Sequence, residues 1–380
     1  MATEFIFLGT GTSSSLPHVD CLTRPADSDI PPCKTCLSTL TPEGKKNIRR
    51  NTSAVIKTKA PKDGSDVTIV IDAGKTFQPA AVEWFPKHGL RKIDALLITH
   101  AHADAMNGLD DLRGWTLGGS IQPHIDVYLS QATFTEVQRS FPYLVSKEYA
   151  SGGGDVPDFV WHIIENKLPF EINDTGIFIT PFLVHHGRVF SPVPPPAFLP
   201  TPGMLISGAT TPAVHSHSEP LDRALGKLLI NESHKTDVIH PYLCFGFKIQ
   251  DQIVYLSDVS HIPDDAWREE GHPLPLCILD CLNLKTHTSH LGLEQSIATA
   301  RRIGATRTYL LGFSHKVSQE EYVTITEAVG GADIDESALS VSEKEGLGMI
   351  GVGEPFWIRP AHDGLRVVVD RGLVRDDTFL

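Results

Sequence analysis

The sequence predicts an α/β protein. Apolar runs of strand length alternate with helical segments, and several of those runs open directly onto polar turns rich in His and Asp. The richest such turn follows residues 95–98, in Leu97-Ile98-Thr99-His100-Ala101-His102-Ala103-Asp104-Ala105-Met106-Asn107-Gly108-Leu109. The run before it has the length and Leu/Ile content of a buried strand. Side chains two apart on extended backbone point the same way, so His100 and His102 converge, with Asp104 following as the chain turns into a helix. Neutral imidazoles and a carboxylate suit zinc or manganese. A buried strand ending in alternating ligands seldom arises from packing needs alone.

At 380 residues the chain can bury a large core. Its 33 Lys and Arg against 46 Asp and Glu give a net charge of −13, which argues against a broad basic face for gripping an extended nucleic acid. The opening Met1-Ala-Thr-Glu-Phe-Ile-Phe-Leu has no basic region and reads as a strand, not a signal peptide. No apolar segment reaches about 18 residues, so none is expected to span a membrane. Six Cys are few for this length and do not form a disulfide scaffold. A soluble protein of a reducing compartment is expected, cytoplasmic, with the nucleus left open.

In chain order, residues 4–8 read as a buried strand, followed by Gly9-Thr10-Gly11-Thr12-Ser13-Ser14-Ser15. That loop lacks the spacing of a dinucleotide or P-loop motif, so it is a tight turn first and a lip of the site second. Cys33-Lys34-Thr35-Cys36 is a knuckle that lets two thiolates hold one ion. With Cys21 it needs a fourth ligand from elsewhere, the alternative being a redox pair. Residues 54–58 and 67–71 form a hairpin, 78–87 a helix, and 108–113 a further helical segment. There Asp110 and Asp111 are solvated charges, or substitutes for missing ligands.

Further on, 177–184 is a strand running into His185-His186-Gly187. The Pro-rich stretch 191–220 reads as an exposed loop, its His215 and His217 facing solvent, with a short helix at 221–230 and a lid over the site as its functional reading. Residues 242–249 and 253–256 form a second hairpin that ends at Asp258, where a carboxylate ligand belongs. Strand 276–279 ends at Asp280, His290 precedes helix 293–303, and strand 308–311 leads to Gly312-Phe313-Ser314-His315. Ser318 with Glu321 is a capping box for a helix to about 329. Residues 330–360 read as irregular, and 365–369 as a closing strand.

The central stretch resembles the H-x-H-x-D-H signature of the metallo-β-lactamase superfamily, with Ala105 in place of the last His. The order of the other pieces resembles the PhnP family of phosphoribosyl cyclic phosphodiesterases. The resemblance covers most of the chain outside two insertions. It implies a four-layer αββα sandwich, a single domain over 1–380 with insertions at about 188–240 and 330–360. It also implies a structural zinc on Cys21, Cys33, Cys36 and His315, and a catalytic zinc or manganese on His100, His102, His186 and Asp258. A second ion would take Asp104, Asp258 and two imidazoles that are Ala105 and Gly312 here, so one ion is expected to be well held and a second weak or absent. His290 matches a phosphate contact and leaving-group acid, Asp280 its orienting partner or a strand cap, and Asp104 a base or water-orienting group. His185 matches no ligand position.

The implied function is hydrolysis of a small, even cyclic, phosphodiester through a metal-bound hydroxide. A small-molecule substrate is the expected partner, and a homodimer is left open. The alternatives are a ribonuclease Z-like RNA-processing nuclease and a catalytically decayed, metal-stabilised binding protein.

Overall fold

The apolar runs are strands covered on both faces. In a computed structural model of the chain, which describes residues 2–189, 240–267 and 274–379, Phe5 and Phe7 enter a core between two sheets. Ile6 and Leu8 enter a second core under outer helices. The same alternation sends Ile278 inward and Cys277 and Leu279 outward. Burial on both faces explains why these strands read as continuous apolar runs instead of alternating ones.

The strands, in chain order, are β1 (Thr3–Gly9), β2 (Ser53–Lys59), β3 (Asp66–Ile71), β4 (Ala95–Leu97), β5 (Ile125–Leu129), β6 (Phe159–Ile163), β7 (Phe170–Glu171) and β8 (Phe178–Arg188). They continue as β9 (Pro241–Ile249), β10 (Ile253–Leu256), β11 (Leu276–Asp280), β12 (Arg307–Leu311), β13 (Ile358–Pro360), β14 (Arg366–Asp370) and β15 (Leu373–Asp376). One eight-stranded sheet has the order β15-β14-β1-β2-β3-β4-β5-β6, and a seven-stranded sheet has β13-β12-β11-β10-β9-β8-β7. Strands β3 to β6 are parallel, as are β10 to β13. The mixed sheets face each other, and helices such as Phe77–Lys87 and Leu293–Ile303 cover their outer faces, which is the αββα sandwich. Parallel strands present their carboxyl ends along one edge, and the ligand-bearing turns sit there.

Local chemistry fixes the helices. Leu293, Ile297 and Ala300 make one buried stripe, and Gly304 closes that helix in the left-handed region at φ 65°. The Ser318–Glu321 capping box is formed as expected, opening helix Gln319–Val329.

Three expectations are corrected. Residues 330–360 are not wholly irregular: a second capping box, Ser340 with Glu343, opens helix Val341–Leu347, and β13 pairs with β12. Strand β8 does not stop before the His-His-Gly turn but carries it, with a register shift between His185 and Arg188. A further strand, β15, follows the closing one. The Pro-rich stretch, its His215 and His217, the helix at 221–230 and the lid lie outside the described residues. No helix among the described residues is long and apolar enough to cross a membrane.

Candidate functional site

Strand ends from both sheets deliver the site. His100, His102 and Asp104 follow β4, His186 lies near the end of β8, Asp258 follows β10, and His290 follows β11. Donor atoms of His100, His102 and His186 lie within 4.8 Å of one another, as do those of His186, Asp258 and His290.

Neighbouring groups set which nitrogen of each ring is free. Asp72, in the left-handed region at φ 60° where β3 ends, accepts from Thr99 N and from Thr99 Oγ1, both at 2.8 Å. That oxygen, its proton spent on Asp72, accepts from His100 Nδ1 at 2.8 Å. His186 Nδ1 donates to the Ser289 carbonyl at 2.7 Å, leaving its Nε2 bare and 3.1 Å from His102 Nδ1. Partners of this kind fix tautomer and ring orientation in metal sites. Burial drives His100 down to about 3 and also lowers His102, so both rings are neutral at physiological pH. Neutral imidazoles are the form that binds a cation.

The donors fit a divalent ion. His100 Nε2 and Asp104 Oδ1 are buried, have no hydrogen-bond partner, and lie 4.0 Å apart. Leaving two such groups unsatisfied costs roughly 1–3 kcal/mol each. The 3.1 Å gap between His186 Nε2 and His102 Nδ1 is close to the edge of about 3.3 Å expected for two nitrogens on one tetrahedral ion. His100, His102 and His186 would hold that ion, with Asp258, which groups with His186 and His290, as the carboxylate beside it. When bound, such an ion lowers the pKa of water and polarises an ester or phosphoryl oxygen.

Asp280 lies fully buried beneath His290. Its Oδ2 accepts from His290 Nδ1 at 2.9 Å, Leu291 N at 3.2 Å and Val259 N at 3.3 Å. Burial opposes charging of His290, but the Asp280 carboxylate outweighs it and pushes the ring up to about 9. Burial raises the Asp280 carboxyl too, opposed by the charge and hydrogen bond of His290.

A second cluster unites the N-terminal Cys loop with the turn after β12. Cys21, Cys33, Cys36 and His315 place their donor atoms within 4.8 Å of one another. His315 Nδ1 lies 3.3, 3.7 and 3.7 Å from the three sulfurs. A tetrahedral ion with thiolate and imidazole ligands has a sulfur–nitrogen edge of about 3.6 Å, so these residues fit one.

Other candidates fall outside. Asp110 accepts from Arg113 Nη2 at 2.6 Å and Tyr143 Oη at 3.1 Å, and neither it nor Asp111 joins the ligand cluster. The His185 ring lies beside that of His261, also apart from the ligands. Ala105 is buried beside Asp104, and Gly312 sits at φ 80°, where an added Cβ would meet Asp280 Oδ1 at 2.5 Å. Two contributors were not singled out in the sequence. Ser13 Oγ donates to Asp104 Oδ2 at 2.5 Å, its signal being only a loop rich in Gly and hydroxyls. Tyr242 stacks parallel on His102 at 4.5 Å, and nothing at the start of an ordinary strand foretells that.

A family model described as a β-lactamase superfamily domain matches residues 67–216. An octanoyltransferase of Porphyromonas gingivalis is 26% identical over 316 residues, which cover 82% of this chain and 46% of that protein. The chain thus spans about half the length of the curated relative it matches. Among solved structures, a diphosphatase from the PhnP family superposes with a TM-score of 0.59 at 20% identity, covering 97% of this chain and 98% of that one. The metallo-β-lactamase fold protein YhfI from Bacillus subtilis gives 0.52 at 12% identity, covering 97% and 100%. The chain has the metallo-β-lactamase fold, and its residues 67–216 are similar to a β-lactamase superfamily domain.

Proposed function

We propose that this chain is a metal-dependent hydrolase of a small phosphodiester, cyclic esters included. It would use one zinc or manganese at the His centre and a structural zinc at the Cys3His site. The observation that carries the reading is the convergence of His100, His102 and His186, with Asp258 and His290 grouped on the same His186 and Asp104 beside His100. In hydrolysis the oxygen of water bonds to phosphorus as the bond from phosphorus to the leaving oxygen breaks. Asp104 takes the proton of the water through Oδ1. His290 gives a proton to the departing oxygen while Asp280 holds its ring, and a phosphomonoester and an alcohol result. A net charge of −13 suits a small substrate better than a long RNA. A PhnP-family diphosphatase with the same fold is consistent with a phosphoryl substrate. One ion is proposed because Ala105 and Gly312 offer no imidazole, and Asp280 occupies the space a side chain at 312 would need.

The octanoyltransferase likeness favours a second reading, hydrolysis of an acyl ester or thioester at the same centre. Purified protein loaded with zinc or manganese separates the two. Bis(p-nitrophenyl) phosphate and a cyclic nucleotide should turn over, and His102→Ala should abolish it. Turnover confined to p-nitrophenyl octanoate or an octanoyl thioester selects the second reading. No turnover on any of them favours a decayed centre that only binds.

A further inference from the structure

We infer that Ser13 is a positioning residue that holds Asp104 in the place a second cation would otherwise hold it, so that a centre built for one ion keeps an oriented carboxylate. The inference rests on the hydrolase reading above and adds a residue to it.

Asp104 is buried, and its two oxygens differ. Oδ2 accepts from Ser13 Oγ at 2.5 Å, while Oδ1 has no hydrogen-bond partner and lies 4.0 Å from the equally unpartnered His100 Nε2. A carboxylate beside three imidazoles needs something to fix its rotation, and here a hydroxyl does so from one side. Neither of the two positions that would bring a further imidazole to it, 105 and 312, carries one. The neighbouring side chain is Ala105, and a side chain at position 312 would collide with Asp280, whose Oδ2 is itself pinned by three N–H donors.

Ser13 is in turn held from behind. Its carbonyl accepts from Lys75 Nζ at 2.5 Å and from Asn51 Nδ2 at 3.3 Å, and Asn51 Nδ2 also donates to the Thr12 carbonyl at 2.8 Å. Asn51 and Thr76 exchange a further pair of hydrogen bonds, 2.7 Å from Asn51 N to Thr76 Oγ1 and 3.2 Å from Thr76 N to Asn51 Oδ1. On the other side Gly74 lies against the Asp104 backbone, where an added Cβ would meet the Asp104 carbonyl at 1.8 Å. Both ends of the Ser13–Asp104 hydrogen bond are therefore set by the surrounding structure, and the free oxygen is aimed at the imidazoles.

The test compares the unaltered chain with Ser13→Ala and Ser13→Thr, each loaded with cobalt at the His centre and checked for an unchanged melting temperature. Visible absorption reports the ligand field, and hydrolysis of bis(p-nitrophenyl) phosphate reports turnover. Ser13→Ala should lower kcat by about 10- to 100-fold with KM nearly unchanged, the usual cost of losing a group that orients a side chain beside the ion, and the loosened Asp104 should shift the cobalt bands by changing the surroundings of the ion. Ser13→Thr, which keeps the hydroxyl, should restore both. Metal analysis should find one ion at the His centre in all three. Bands and kcat indifferent to Ser13→Ala, or two ions bound equally tightly at the His centre, would overturn the inference. If the unaltered chain fails to turn over any substrate, the hydrolase reading fails, and the cobalt bands alone decide for or against Ser13.

Discussion

Gly312 shows how one residue limits the centre. Its φ of 80° favours glycine, and a Cβ there would press on a carboxylate that cannot move without giving up hydrogen bonds. Gly312→Ala should therefore destabilise the fold by about 2 kcal/mol, read as a lower urea midpoint. Gly312→His should likewise fail to add a second ion by metal analysis. On the proposed hydrolase reading, Asp280 acts through His290, whose Nδ1 donates to it. Asp280→Asn removes the charge that keeps the ring protonated, so kcat for phosphodiester hydrolysis should fall about 10- to 100-fold while metal content at the His centre stays the same. Equal activity in Asp280→Asn would show that His290 is not the proton donor.

Among the elements, the Cys loop is the one that cannot stand alone. Helices Val19–Leu22 and Lys34–Ser38 are far too short to persist by themselves. Their anchor is the turn after β12. The fully buried Arg49 donates to the Ser314 carbonyl and, at 3.1 Å, to the Val317 carbonyl, bracketing His315, and its guanidinium lies over Phe313. A cation on three thiolates would join these pieces. Cys33→Ser should cost about one metal ion per chain and several kcal/mol of stability, with the ion at the His centre retained. Equal loss of both metals, measured by elemental analysis, would count against two independent sites.

At the scale of the molecule, the two sheets are held by more than their shared apolar core. Asp376 of β15 belongs to one sheet, yet its Oδ2 accepts from Arg307 Nη1 at 2.8 Å and Tyr309 Oη at 2.5 Å, both on β12 of the other. Its side chain is fully buried. Breaking one partner of a buried pair leaves the other charge uncompensated, so Asp376→Asn should cost about 3 kcal/mol, seen as a lower urea midpoint at unchanged slope. Chelation should act at the same scale. Removing ions that bind only the folded chain lowers the melting temperature, and adding zinc should restore it.

Much of this was legible in the sequence. Strand-length apolar runs located β1, β4, β11 and β12, because strands buried on both faces need no alternation to be recognised. Capping chemistry marked the helix after Ser318, though the same signal at Ser340 went unused within a Gly-rich stretch. The metal-ligand candidates His100, His102, His186, Asp258 and the Cys3His group could be named from order and resemblance. Beyond the pair His100 and His102, only the resemblance, and no local pattern, implied that they meet. Sequence determines which side chains can bind a cation and which backbone segments form locally, since both depend on residue type and near neighbours. Only the tertiary structure decided that Ser13 reaches Asp104, that Tyr242 lies on His102, and that Asp280 fills the space beside Gly312, because each contact joins residues far apart in the chain.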